Sequence, residues 1–396
     1  MLNVVETLRE LVAIPSVNPM GRPTPGSELA EAKLTEYLER LFRRLKIPVV
    51  RQPVEPGRDN IVARIDGPGG PRQATAVILF GAHQDTVPAT GMTIPPWTPE
   101  VREGRLYGRG SCDVKGGMAA MLAALARLHE ERPKGMPTVV MVCTVNEELG
   151  FSGANALPKL WQGHSRDVLT RRPDCAVVAE PTELQVVVVH KGLVRWRCHA
   201  HGRAAHSSTP EKGENAIYRL GRALIVIQRY AEQVVGTLGS HPLCGPATLN
   251  VGTITGGVSV NTVPDRCTIE IDRRLVPGEK PQSARQHVID YLEREAGPDC
   301  RLEHEPPFMV GLPLSDEHNR PVADRLVAAA TKLDLPCRTI GVPYGTDAAS
   351  FAAAGVPTVV FGPGALAQAH TADEWIALEQ VEKAAEVYYR FVKSFC

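Results

Sequence analysis

Apolar positions in the first third of the chain follow two rhythms. Val5, Leu8, Leu11 and Val12 recur at helical spacing behind Asn3, with Glu6 three residues after that asparagine, the pattern of an N-capped amphipathic helix. A second stripe, Leu34, Leu38, Leu41 and Leu45, predicts a helix opening at Ser27 and stopping at Pro48. The apolar runs 61–65, 76–80, 138–145 and 175–179 are too short and too rich in β-formers for helices. Between the second and third of them lies 116–128, dense in Ala, Met and Leu, which reads as a helix. Continuous apolar strands alternating with helices predict an α/β fold with a mixed, largely parallel sheet flanked by helices.

The middle of the chain changes style. Segment 194–200 alternates, 216–235 has helical periodicity, 248–255 and 267–273 alternate again, 281–295 is helical, and 300–304 is a short strand. That order, β-α-β-β-α-β, is a recurring unit with an antiparallel sheet and one helical face. After Pro306-Pro307 the α/β style returns with a helix at 319–333, a strand at 358–362 and a helix at 378–394. The expected organisation is one domain in two parts, 1–190 and 306–396, interrupted by an inserted domain at 191–305. A length of 396 residues suits two domains.

Composition narrows the function classes. With 43% hydrophobic and 22% charged residues the chain is an ordinary globular protein. Forty-four basic residues balance 44 acidic ones, so the basic excess of a nucleic-acid or anionic-lipid binder is missing. No apolar run approaches the ~18 residues of a membrane span; the longest, 118–128, contains Arg127. Glu6 and Glu10 stand where a signal peptide would be apolar, so no leader is expected. The nine cysteines are odd in number and form no C-x-x-C pair. They read as reduced thiols of a cytoplasmic protein rather than a disulfide framework or a structural zinc cassette.

The chemistry-bearing residues fall after the strands. His83 and Asp85 follow the run 76–80, Glu147 and Glu148 follow 138–145, Glu180 ends 175–179, His370 lies beyond 358–362, and Asp113 precedes the helix at 116. In a parallel sheet the carboxyl ends of the strands open into one crevice. Singly, an H-x-D or a Glu pair is ordinary loop chemistry; their shared placement is the signal. Carboxylate and imidazole donors without clustered thiolates suit zinc. His83, Asp113, Glu148, Glu180 and His370 are too many for one catalytic zinc but enough for two that share a bridging carboxylate. Glu147 is then left over as a base. Asp85, two residues from His83, is placed to accept the imidazole's second N–H.

The runs GAHQDTVP (81–88), YGRGSCDVKGGMAAM (107–121), TVNEELGFSGA (144–154), VVAEPTE (177–183), GRAAHSSTPEKGENAI (202–217) and VNTVPDRCTIEIDRRL (260–275) resemble the acetylornithine deacetylase / succinyl-diaminopimelate desuccinylase family. This family of co-catalytic zinc amide hydrolases includes aminoacylases, glutamate carboxypeptidases and dipeptidases. The resemblance spans nearly the whole chain and implies a catalytic domain interrupted by a lid or dimerisation domain. It implies His83, Asp113 and Glu180 on one zinc, Glu148, His370 and a bridging Asp113 on the other, and cobalt as a possible substitute. Asp85 matches the residue orienting the first histidine, and Glu147 matches the general base. His206 matches a histidine that stabilises the oxyanion in the opposite subunit of a homodimer. Arg273 matches an arginine gripping the substrate carboxylate, with Arg274 as its neighbouring confounder, and Asn261 matches a substrate hydrogen-bonding residue near the lid. Ala82, Thr86 and Val114 depart from the family's usual residues without removing a ligand.

Other chemistries lack their fingerprints. Gly108-Arg109-Gly110 runs into Ser-Cys-Asp113 where a dinucleotide site needs a third glycine, and no P-loop or G-x-S-x-G elbow is present. His129 and His304 each precede a Glu without completing H-E-x-x-H. His199 and His201 share a strand face but have no evident third ligand. The expected activity is dizinc hydrolysis of the amide bond of an N-acyl amino acid, with desuccinylase-like or dipeptidase-like hydrolysis as the alternative. A non-catalytic metal-binding relative would have lost Glu147. The segment YGTDAASF (344–351) is expected to line the pocket.

Overall fold

The computed structural model describes residues 2–21, 30–67, 76–162, 168–169 and 171–396. The chain divides into two compact units. One comprises Met1–Val188, Ser315–Ile340 and Thr346–Cys396, and the other Val189–Leu314 with Gly341–Gly345. The segment 191–305 lies inside the second unit, which extends further because strand Met309–Gly311 pairs back onto Gly192–His201.

The first unit is built on a mixed sheet. Its order is Val49–Glu55, Arg58–Ile65, Thr138–Thr144, Val77–His83, Cys175–Val178, Thr358–Val360, Val186–His190 and Thr339–Val342. The four central strands, from Thr138–Thr144 to Thr358–Val360, are mutually parallel. Strand Arg58–Ile65 flanks them antiparallel. Every residue of Val77–His83 and Thr138–Thr144 is buried, which is why these strands read as unbroken apolar runs rather than alternating ones. Helix Gly116–Glu131 packs on Leu378–Lys393 and Val4–Val12, and Ala32–Arg44 lies on Arg58–Ile65. Asn3 caps the first helix, its side chain accepting from the N–H groups of Val5 and Glu6. Ser27, the expected start of the second helix, lies outside the described residues.

One boundary matters for the site. The strand expected to end at Phe80 continues to His83, because its ladder with Thr138–Thr144 stays in register as far as His83 opposite Thr144. Gly81 lies within the extension. A Cβ there would come within 2.9 Å of the Phe351 ring, so a position that looks like a breaker serves close packing.

The second unit is a five-stranded antiparallel sheet with strand order Thr248–Gly256, Arg266–Leu275, Gly192–His201 and Leu302–His304, Met309–Gly311 joining beside Gly192–His201. Helices Ala216–Arg229 and Pro281–Ala296 cover one face, and Trp196, Leu220, Ile269, Ile271, Val288 and Leu292 form its core. Strand Thr248–Gly256 lies at the sheet's edge and is mostly exposed.

Candidate metal centre

Because the central strands of the first unit are parallel, their carboxyl ends share one edge of the sheet. His83 is the last residue of its strand, Glu147 and Glu148 follow Thr138–Thr144, Glu180 follows Cys175–Val178, and His370 follows Thr358–Val360. Asp113 reaches the same place from the loop ahead of helix Gly116–Glu131.

The donors form two overlapping groups. His83 Nε2 lies 2.9 Å from Asp113 Oδ1 and 4.0 Å from Glu180 Oε1. His370 Nε2 lies 3.3 Å from Asp113 Oδ2 and 3.4 Å from Glu148 Oε2. Within His83, Asp113 and Glu180, and again within Asp113, Glu148 and His370, one donor atom from each residue lies within 4.8 Å of the others. Asp113 belongs to both groups and presents a different oxygen to each imidazole.

Burial and mutual repulsion among the carboxylates set the proton affinities in this cluster. Burial raises the proton affinities of Glu147 and Glu180 well above the ordinary carboxylate range, and Glu148 is pushed up to about 7 by burial and the nearby Asp113 charge. Asp113 alone is held low, because hydrogen bonds with His370 and His83 outweigh its burial. His370 is raised to about 10 by its hydrogen bonds with Asp113 and Glu148. Glu148 Oε1 and Glu180 Oε1 are buried without a hydrogen-bond partner, an arrangement costly unless a cation faces them. Oxygen and imidazole donors in two sets of three, buried or half-buried except for the exposed His370, fit divalent metal ions.

Asp85 does its work differently from the expectation. His83 Nδ1 is 2.9 Å from the Asp85 backbone carbonyl, which fixes the tautomer, while the nearest carboxylate oxygen is 3.7 Å away. The carboxylate instead accepts from the N–H groups of Glu147 and Glu148, both at 3.1 Å, and from Asn18 Nδ2 at 2.8 Å. It therefore fixes the turn that carries the Glu pair. Asn146, just before that pair, adopts a left-handed φ of 61°, as does His370, a backbone state that non-glycine residues seldom keep without a local requirement.

Further residues of the centre went unflagged by sequence. Asn18 Nδ2 also bonds Asn146 Oδ1 at 2.9 Å. Thr144 Oγ1 donates to Asp347 Oδ2 at 2.5 Å, placing a buried acid from the segment 344–351 beside the end of the His83–Thr144 ladder. Burial raises Asp347 to about 7. Glu374 is fully buried and binds the loop of Asp113. A polar residue four positions past His370 was the only local hint.

The remaining candidates belong to the second unit. Residues 205–206 pair with 262–263, placing His206 opposite Thr262, and Ser207 N–H donates to the Asn261 carbonyl at 3.0 Å. His206 and Asn261 are thus neighbours, and His206 is exposed, with Nδ1 2.7 Å from Ser208 Oγ. Arg273 is where the structure corrects the sequence reading. It is fully buried on the face shared with Ile269, Ile271 and Leu275, and its guanidinium pairs with Glu279 at 2.5 Å. Arg274 points to the other face and pairs with Asp272 at 3.0 Å. His199 and His201 each pair with a glutamate, Glu305 at 2.8 Å and Glu303 at 2.5 Å, and neither joins a three-donor cluster among the described residues.

Clustered acid and imidazole donors at the carboxyl edge of a parallel sheet, beside an acid belonging to neither set, define a metallohydrolase. The sequence profile of Peptidase family M20/M25/M40 matches residues 79–394. Acetylornithine deacetylase of Myxococcus xanthus is 31% identical over 344 residues, 85% of this chain and 84% of that protein. The enzyme of that name from Proteus mirabilis (strain HI4320) is 30% identical over 406 residues, 99% of this chain and 96% of its own. Among solved structures, an M20 family metallo-carboxypeptidase from Sulfolobus solfataricus superposes with a TM-score of 0.78 at 19% identity, covering 100% of this chain and 99% of its own. A dinuclear metal-binding M20 peptidase from Bacillus subtilis gives 0.66 at 17%, covering 98% and 96%. The chain belongs to Peptidase family M20/M25/M40. No helix among the described residues is long and apolar enough to cross a membrane.

Proposed function

We propose that this protein is a dizinc hydrolase that removes the acyl group from a small N-acyl amino acid, in the manner of acetylornithine deacetylase. The observation that carries the reading is the pair of donor sets sharing Asp113 with Glu147 left outside both. His83, Asp113 and Glu180 would hold one zinc, and Asp113, Glu148 and His370 the other, with cobalt as a substitute. Relatives at 30% and 31% identity that are acetylornithine deacetylases favour deacylation over the desuccinylase-like and dipeptidase-like alternatives.

When bound, the two ions would supply Lewis acidity, acidifying water and polarising the scissile carbonyl. Glu147, its proton affinity raised by burial, takes the proton of the attacking water and delivers it to the departing amine. Asp85 holds Glu147 through its backbone N–H. His206, from the opposite subunit of a homodimer, donates to the oxygen that becomes negative in the tetrahedral state. Asn261, its neighbour, hydrogen-bonds substrate. Arg273 is paired with Glu279 in the interior and Arg274 with Asp272 on the less buried face; of the two, Arg274 is the one with exposed surface left to grip the substrate carboxylate.

The homodimer reading is supported by the exposed edge strand Thr248–Gly256, a template for pairing with a second copy. Ile254, Tyr218 and Ile225 are exposed in the same unit. Nine cysteines with no disulfide suit a cytoplasmic protein. The test of function is a panel of N-acetyl, N-succinyl and dipeptidyl substrates assayed with zinc or cobalt. N-acetyl amino acids should turn over fastest; hydrolysis of dipeptides alone would contradict the deacylase reading.

A further inference from the structure

The two metal-binding loops of the first unit are tied together by one buried side chain. Glu374 lies four residues past His370, and its carboxylate accepts four hydrogen bonds from the loop that carries Asp113. Oε2 receives Arg109 Nη1 at 2.7 Å and the Gly110 N–H at 3.0 Å, and Oε1 receives the Cys112 N–H at 2.9 Å and the N–H of Asp113 itself at 3.1 Å. The Glu374 carbonyl accepts from the Gly108 N–H at 3.0 Å. Strand Trp375–Ala377, which begins at the next residue, pairs with Arg105–Tyr107, which ends where the Asp113 loop starts. The segment holding His370 is therefore stitched along the segment holding Asp113, and the carboxylate closes the last step.

The backbone N–H groups of Gly110, Cys112 and Asp113 converge on one carboxylate, an anion-binding concavity like a nest, here filled by the protein's own side chain. Gly110, with φ of 80°, supplies the left-handed turn this requires. The nest aims Asp113, the residue shared by both donor sets. We propose that Glu374 is a positioning residue for the metal pair: by clamping the Asp113 loop to the His370 loop it sets the direction of the shared carboxylate and hence the affinity of both metal sites. This rests on the dimetal reading above.

The chemistry of the nest makes Glu374→Gln an informative change. All four partners are donors, so an amide in either orientation sets its NH₂ against two N–H groups. The experiment is a cobalt titration of metal-free protein, following the visible d–d bands and the two binding constants. Wild type should bind two ions. Glu374→Gln should weaken both sites tenfold or more and change the bands, while retaining native near-ultraviolet circular dichroism. If it does not fold, Glu374→Asp, which keeps the charge but withdraws the carboxylate by one carbon, takes its place with the same expected direction. Leu326→Ala, a cavity in helix Arg320–Thr331, is the control: it should lower Tm and leave affinities and bands unchanged. A folded Glu374 variant that titrates like wild type, with only its Tm lowered, would reduce Glu374 to a structural tie and overturn the proposal. Wild type binding no cobalt would overturn the dimetal reading itself, a separate outcome.

Discussion

The two units hold their chemically important side chains in opposite ways. In the first, every candidate metal donor follows a buried strand or lies on a loop tied by long-range hydrogen bonds: Asp85 fixes the turn of Glu147 and Glu148, and Glu374 fixes Asp113. In the second, His206 and Asn261 lie at a short two-stranded ladder, 205–206 against 262–263, and their side-chain bonds reach only two residues away, to Ser208 and Ser259. A metal centre needs donors aimed before the ions arrive. An oxyanion donor, the role proposed for His206, needs only to be delivered when substrate is present, and a loop suffices. The contrast also separates adjacent residues of one strand: Arg273 belongs to the packed interior of the second unit and Arg274 to its other face.

The largest effect expected is at Glu147. Glu147→Gln should lower kcat by about 10²- to 10⁴-fold, the range for removing a general base, with metal content near wild type. Glu148→Gln should lose one ion instead. Equal loss of metal in both variants would erase the distinction between base and ligand.

The second comparison tests the delivered histidine. Mixing inactive His206→Ala and Glu147→Ala chains through unfolding should make about half the dimers mixed, and one site in each mixed dimer is then intact, so about a quarter of wild-type activity should return. No recovery, with mixed dimers verified by mass, would place His206 outside the opposite site.

Arg273 and Arg274 should fail in different assays. Arg273→Ala breaks a buried ion pair and strands Glu279, a loss of about 3–5 kcal/mol readable by urea unfolding. Arg274→Ala should leave the fold in place and lower kcat/KM about 10- to 150-fold for substrates with a free carboxylate, the worth of a hydrogen bond to a charged group. Esterified substrates should be affected much less. The reverse assignment of stability and specificity would break the comparison.

The smallest effect concerns His304, whose Nδ1 accepts from Trp196 Nε1 at 3.0 Å. Burial, with help from Arg285 and His199, lowers its pKa to about 4, against about 6.5 in an unfolded chain. The folded state thus binds the proton less readily. Its stabilising contribution is complete above about pH 6.5 and is lost as pH falls toward 4, by up to about 3 kcal/mol. Urea midpoints should fall over that window in wild type and less so in His304→Gln.

The fold was legible along most strands buried on both faces. Runs 138–145 and 175–179 announce themselves because each residue of the observed strands is buried. Strand Val49–Glu55 was not legible: it is an edge strand with Pro53 and mixed exposure. Strand Val186–His190 carries four valines and the same signal as its neighbours, yet stands outside the expected elements. The metal donors could be read from their order after the strands. Their supports could not, because Asn18 meets Asp85 across 67 residues and Glu374 meets Arg109 across 265, separations that leave no local pattern. Arg273 was legible in principle. Alternation from Cys267 through Ile269 and Ile271 to Leu275 puts residue 273 on the buried face, so parity outranks motif position here.

The account stands on two metal sites that share one carboxylate. Native mass spectrometry of metal-free protein titrated with zinc measures this directly. Wild type should take up two ions per chain, Glu180→Gln and His370→Ala should each retain one, and Asp113→Ala should retain neither. A single ion in wild type, or two ions held by Asp113→Ala, would contradict it.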